Sequence, residues 1–133
     1  MIDRREAEEL LARAEEIHSA ASVSAAIDRV AGEIEQRLRD SAPLLLCVMN
    51  GGVPFAGALL TRLRFPLDFD FLHVGRYGRT TSGGTLAWRV APTMPVHGRT
   101  VLVIDDILDQ GVTLAAIRER LLELGARECL TVV

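Results

Sequence analysis

The 133-residue chain is 49% hydrophobic and 25% charged, the balance of one folded globular domain and not of a disordered segment. A formal net charge of -3 gives no overall basic footprint for nucleic acid, so any phosphate binding has to be local. The longest apolar run, residues 42–49, is too short to cross a bilayer and the charged start MIDRREAEEL has no apolar signal region, which leads to the expectation of a cytoplasmic protein without a membrane partner.

In chain order, Ala7, Leu10, Leu11, Ala14 and Ile17 recur at helical spacing over residues 4–20, and Val23, Ala26, Ile27, Val30, Ile34 and Leu38 over residues 23–39. Two amphipathic helices are predicted there. Ser41-Ala42-Pro43 breaks the second, and LLLCVM (44–49) reads as a buried strand. Asn50-Gly51-Gly52 is a turn, and Pro54 suits the first turn of a helix running to about Arg64. LDFDFLHV (67–74) alternates as a strand, YGRTTSGGT (77–85) is polar, and LAWRVA (86–91) is a possible return strand. Val101 to Ile104 form an apolar strand, a helix follows from about Val112 to Leu124 and stops at Gly125, and ECLTVV reads as another buried strand. This alternation predicts an α/β fold, a mostly parallel central sheet flanked by helices on both faces. Phe69, Phe71 and Trp88 are expected to be packing residues, and Cys47 and Cys129 reduced core thiols. The sequence stops on LTVV with no turn or polar tail, so the natural chain is expected to continue.

The stretch VLVIDDILDQGVTL (101–114) concentrates the chemistry. A strand this apolar is buried on both faces, which puts Asp105, Asp106 and Asp109 just past its carboxyl end, where open α/β sheets bind ligands. Gly111 and Thr113 then open a helix whose first N–H groups and dipole favour a phosphate. Carboxylates beside such a cradle would repel a bare phosphate. They require hydrogen-bond donors on the ligand, such as sugar hydroxyls or a protonated ring nitrogen. A ribose phosphate meets both demands.

An apolar strand, two acids, two apolar residues and Asp-x-Gly-x-Thr resemble the phosphoribosyl-diphosphate (PRPP) signature of the type I phosphoribosyltransferases. VMNGGVPFAGALL (48–60) looks like the first active-site loop and helix of the hypoxanthine-guanine branch, and HVGRYGRTTSGGTLAW (73–88) like its Tyr-containing mobile loop. The match covers about residues 22–133. The resemblance implies a Rossmann-like fold and purine salvage: PRPP and a 6-oxopurine base, hypoxanthine or guanine, give IMP or GMP and pyrophosphate. Asp105 and Asp106 would hold the ribose 2′ and 3′ hydroxyls, and Gln110, Gly111, Val112 and Thr113 would cradle the 5′ phosphate. Asp109 would be the general base at purine N7, and Asn50, Gly51, Arg76 and Tyr77 would meet the pyrophosphate. Many relatives carry a basic residue at the position of Asn50, and some have Lys at that of Val112. The resemblance also implies Mg2+ bound mainly through PRPP and pyrophosphate, a homodimer or homotetramer, and purine-binding residues beyond Val133. The chain is therefore expected to be a single phosphoribosyltransferase-like domain, residues 1–133, lacking its C-terminal purine-binding part.

Simpler readings compete at each motif. The acids could be a solvated strand end, Gly51-Gly52 a tight turn, Gly83-Gly84 a hairpin tip, and Arg76 and Tyr77 surface strand residues. His18, His73 and His97 are scattered, and no His/Cys cluster has metal-ligand spacing. Gly-x-x-x-x-Gly-Lys, Gly-x-Gly-x-x-Gly and Gly-x-Ser-x-Gly are all missing, and without any Lys there is no Schiff-base chemistry. A regulatory module that senses PRPP or nucleotide on the same fold is the alternative to an enzyme. Retention of Asp109 favours the enzyme, because a sensor needs no base beside the purine.

Overall fold

The computed structural model describes residues 2–76 and 86–133. Its elements are α1 (Arg4–Arg13), α2 (Ala20–Leu38), β1 (Leu44–Val48), α3 (Val53–Leu60), β2 (Asp68–Arg76), β3 (Leu86–Val90), β4 (Thr100–Ile104), α4 (Val112–Glu123) and β5 (Glu128–Val132). The five strands form one sheet in the order β3-β2-β1-β4-β5. β1 pairs in parallel with β2 and with β4, β4 pairs in parallel with β5, and β3 is antiparallel on β2.

β1 and β4 lie at the centre and are buried at every position. Their unbroken apolar runs follow from having helices on both sides. Side chains alternate between two cores. Leu44, Leu46, Val101 and Val103 pack with Leu114, Ile117 and Leu121 of α4. Leu45, Cys47, Leu102 and Ile104 pack with Ala31, Ile34 and Leu38 of α2 and with Ala56 and Leu59 of α3. Both cysteines are free and buried. Burial pushes the Cys129 thiol up to about 11, with Arg118 opposing the rise.

Three expectations are corrected. The helix predicted over residues 4–20 ends at Arg13, and α2 begins at Ala20. The Ser19 side chain accepts from the Ser22 N–H at 3.1 Å, which starts a new helix and overrides the apolar spacing that ran on to Ile17. α1 buries no residue, so local capping alone sets its limits, with Asp3 accepting from the Glu6 N–H at 2.8 Å. Phe69 and Phe71 are also not core residues, at 42% and 38% exposure. Their register partners Leu45 and Cys47 put them on the α3 face, which α3, eight residues long, does not cover out to β2. Trp88 does pack, against the α4-side core. The helix expected to run to about Arg64 stops at Leu60.

Alternation along β2 puts Asp70 on the same face as Leu72 and Val74, and the residue is buried. Its carboxylate accepts from the Phe71 N–H at 2.8 Å, the Thr93 N–H at 2.7 Å, the Thr93 hydroxyl at 3.1 Å and the Met94 N–H at 2.9 Å. It thereby ties the connection between β3 and β4 to the sheet. Burial raises the pKa of this carboxyl, but the three amides and the hydroxyl outweigh that and hold it below the ordinary carboxylate value. A carboxyl lowered in the folded state stabilises above the unfolded pKa of about 3.9, and the contribution is lost as pH falls through the folded value. Asp70→Asn is therefore expected to cost about 2 kcal/mol at neutral pH. Urea melts should show the gap to wild type closing below about pH 4; a gap unchanged at low pH would mean that the charge is not what holds the loop.

Candidate active site

From the centre of the sheet, β1 leads through α3 to β2 on one side, while β4 leads through α4 to β5 on the other. The chain thus diverges between the carboxyl ends of β1 and β4. A crevice forms at such a switch point because the two loops depart in opposite directions. Residues 49–52 enter it from β1 and residues 105–111 from β4.

The two loops touch. A Cβ added at Gly51 would lie 2.7 Å from both carboxylate oxygens of Asp106. One added at Gly52 would lie 2.9 Å from the carbonyl oxygens of Val48 and Ile104. Only glycine lets these backbones and this carboxylate come so close. The Met49–Asn50 peptide bond is cis. The Met49 N–H donates to Leu72 O at 2.8 Å and the Gly52 N–H to Val48 O at 3.0 Å, so β1 and β2 anchor the loop on both sides of Asn50 and Gly51, which are exposed.

On the β4 side, the Asp105 N–H donates to Val132 O at 3.1 Å, and the Asp105 carboxylate accepts from the Asp106 N–H at 2.9 Å. Burial pushes the Asp105 carboxyl above its ordinary value. The Asp106 amide pulls it back, and the Asp106 carboxyl adds to the rise by hydrogen bonding and by charge. Burial raises the Cys47 thiol beneath the loop, with the Asp105 charge as a second cause. Gly111 caps α4 at φ 74°, a left-handed conformation that costs glycine nothing, and no side chain caps the helix there. The first turn of α4 therefore points its amides and the positive end of its dipole towards the loop.

Asp105, Asp109, Gln110, Gly111, Val112 and Thr113 line one cavity of about 280 Å³, with Ile107 and Leu108 on its rim. Asp106 faces elsewhere. It lines a neighbouring hollow of about 790 Å³ with Gly51, Pro54, Phe55, Val133, His18 just ahead of α2 and the first half of α2 itself, Arg29 included. The structure thus gathers the predicted β4-loop residues around one space and sets Asp106 on the wall shared with the β1 loop. The apolar row over residues 23–39 signals a helix but not that its first half walls this hollow. Arg76 is the last residue of β2, at the carboxyl edge. Tyr77 and the polar segment 77–85 with Gly83-Gly84 lie outside the described residues.

Fold and site define an α/β protein with an acidic, amide-lined crevice at its switch point. Residues 13–133 match the family profile described as "Phosphoribosyl transferase domain", and the chain belongs to that family. It is 35% identical over 88 residues to the hypoxanthine-guanine-xanthine phosphoribosyltransferase of Tritrichomonas foetus, covering 66% of this chain and 48% of that protein. It is 32% identical over 94 residues to the hypoxanthine-guanine phosphoribosyltransferase of Bacillus subtilis, covering 70% and 52%. The chain spans about half the length of these curated relatives. Among solved structures, a hypoxanthine-guanine phosphoribosyltransferase from Bacillus anthracis superposes with a TM-score of 0.83 at 20% identity, covering 89% of this chain and 70% of that one, a likeness of fold. No described helix is long and apolar enough to cross a membrane.

Proposed function

We propose that the chain binds PRPP and serves purine salvage, transferring the phosphoribosyl group to hypoxanthine or guanine with release of pyrophosphate, in the cytoplasm. The observation that carries this reading is the contact of the Gly51 backbone with the Asp106 carboxylate beside the uncapped start of α4. One crevice then offers acceptors for sugar hydroxyls and amides for a phosphate.

In this reading Asp105 and Asp106 hold the 2′ and 3′ hydroxyls of the ribose, and residues 110–113 cradle the 5′ phosphate. Asn50 and Gly51 meet the pyrophosphate, with Arg76 at the edge of β2 and Tyr77 beyond it. Substitution at the anomeric carbon passes through an oxocarbenium-like state: the bond to pyrophosphate breaks and the bond to the purine nitrogen forms. Asp109 takes the proton from N7, for which it needs only hydrogen-bond reach. Asn50 and Val112 bring no positive charge, which leaves the phosphate to amides and to Thr113. Asp105 and Asp106 carry hard oxygen donors that would help hold magnesium, which would be bound mainly through PRPP and would supply positive charge against the leaving pyrophosphate.

Calorimetry with magnesium and PRPP is expected to give saturable binding, and hypoxanthine or guanine, but not adenine, is expected to support pyrophosphate release. Failure to bind PRPP would end this reading. Binding with no release for any base would leave a PRPP sensor.

A further inference from the structure

The edge strand β3 does not pair evenly with β2. His73 pairs with Val90 and Val74 with Trp88, so Arg89 is passed over as the extra residue of a β-bulge. Bulges re-aim a side chain, and this one turns Arg89 over its neighbour strand. A Cβ added at Gly75 would lie 2.5 Å from Arg89 Nε, 3.1 Å from Cζ and 3.2 Å from Nη2. Gly75 has a strand backbone without a positive φ, so conformational freedom is not what the position uses. It supplies room: the Arg89 guanidinium lies over bare main chain.

That place adjoins the loop between β1 and α3. Val48, the last residue of β1, is level with Leu72, and β2 runs on to Arg76, so Gly75 stands beside residues 49–52 where they leave the sheet. Alternation puts Gly75 in the row of Phe69 and Phe71, whose register partners Leu45 and Cys47 face α3. The loop turns to that same side, because it leads into α3. Arg89 is exposed, and among the described residues no hydrogen bond or ion pair engages its guanidinium. The other described side chains of the row, Phe69, Phe71 and His73, include no acid. A cation re-aimed by a bulge, bedded on a glycine and kept apart from carboxylates is set out for an anion from solution.

We propose that Arg89 is a further pyrophosphate-binding residue, bringing from the edge of the sheet the positive charge that Asn50 lacks. The assignment rests on the PRPP reading above and deepens it. Pyrophosphate carries more negative charge than one magnesium ion cancels, and that charge grows as the bond to the anomeric carbon breaks. A guanidinium meets a phosphoryl group with two parallel N–H groups, which a single neutral amide cannot do. Arg76 directly follows Gly75, so both arginines belong to one corner of the crevice.

Calorimetry at low ionic strength, with magnesium pyrophosphate and ribose 5-phosphate as separate probes, tests the assignment. Arg89→Ala is expected to weaken pyrophosphate binding about tenfold and to leave ribose 5-phosphate unchanged. Gly75→Ala should reproduce the loss at an unchanged Tm, because the three atoms nearest the new methyl all belong to the flexible Arg89 side chain. Combining it with Arg89→Ala should cost nothing more, since both remove one interaction. Arg64→Ala, an exposed arginine past the far end of α3, controls for net charge and should bind both probes like the wild type. Pyrophosphate binding that survives Arg89→Ala overturns the assignment, as does an equal loss for both probes or an equal loss in Arg64→Ala; PRPP binding by the wild type then still upholds the functional reading. A wild type that binds neither PRPP nor pyrophosphate overturns both.

Discussion

Replacing Asp109 by Asn is expected to lower turnover about 100-fold or more while PRPP affinity stays within a few-fold. Asn keeps the size of the side chain and one acceptor oxygen but cannot take a proton at neutral pH. Asp109 is exposed and lines the cavity at the start of α4, so the substitution should leave the cradle intact. Proton removal from N7 is needed only as the glycosidic bond forms, which confines the loss to the chemical step. Single-turnover pyrophosphate release and calorimetry with PRPP measure the two quantities separately. Equal losses in both would give Asp109 a binding role.

The largest stability loss is expected from Gly52→Ala. The new methyl would lie 2.9 Å from two carbonyl oxygens, those of Val48 and Ile104, and 3.3 Å from Cys47 Sγ. Both oxygens belong to the buried central strands β1 and β4, so relief requires those strands to part. Overpacking against backbone of this kind costs about 3 kcal/mol, and for a domain of this length that lowers Tm by roughly 10 °C. Thermal and urea melts check it; a loss below about 1 kcal/mol would show that the loop can shift freely. Gly51 differs, because its nearest atoms belong to the Asp106 side chain, which can swing aside.

Much of the fold was legible because its signals are local or one-dimensional. Residues 101–104 lack any polar alternation, which is enough to make them a strand buried on both faces, and the structure buries every position of β4. Gly125 was expected to stop α4, and it follows the helix at φ 91°. The break between α1 and α2 was expected after residue 20 but comes after Arg13, since apolar spacing continues through Ala14 and Ile17 and only the Ser19 cap marks the new start. Phe69 and Phe71 read as core because hydrophobicity does not report whether a neighbouring helix is long enough to cover them. Asp70 reads as one acid among many, and three of its four donors, on Thr93 and Met94, lie more than twenty residues away.

The site was legible as an order of residues and less so as an arrangement. Gly51 and Asp106 are 55 positions apart, and nothing in either loop announces that they touch. That Asp105 and Asp106 line different hollows has a simpler origin. Successive side chains leaving a strand point to opposite sides, so adjacent acids diverge unless the backbone turns between them.

The hydrogen bond from the Asp105 amide to the Val132 carbonyl extends the β4–β5 ladder one rung beyond the last buried residue of β4. The first acid of the pair is thus latched to the outermost strand. α4 rests on that strand too, since the Arg118 Nε–H donates to the Cys129 carbonyl at 3.1 Å and Leu121 shares a core with Cys129. Fraying of the sheet margin would therefore disturb the Asp105 amide and the footing of α4 together, so both walls of the crevice depend on one edge strand staying in place.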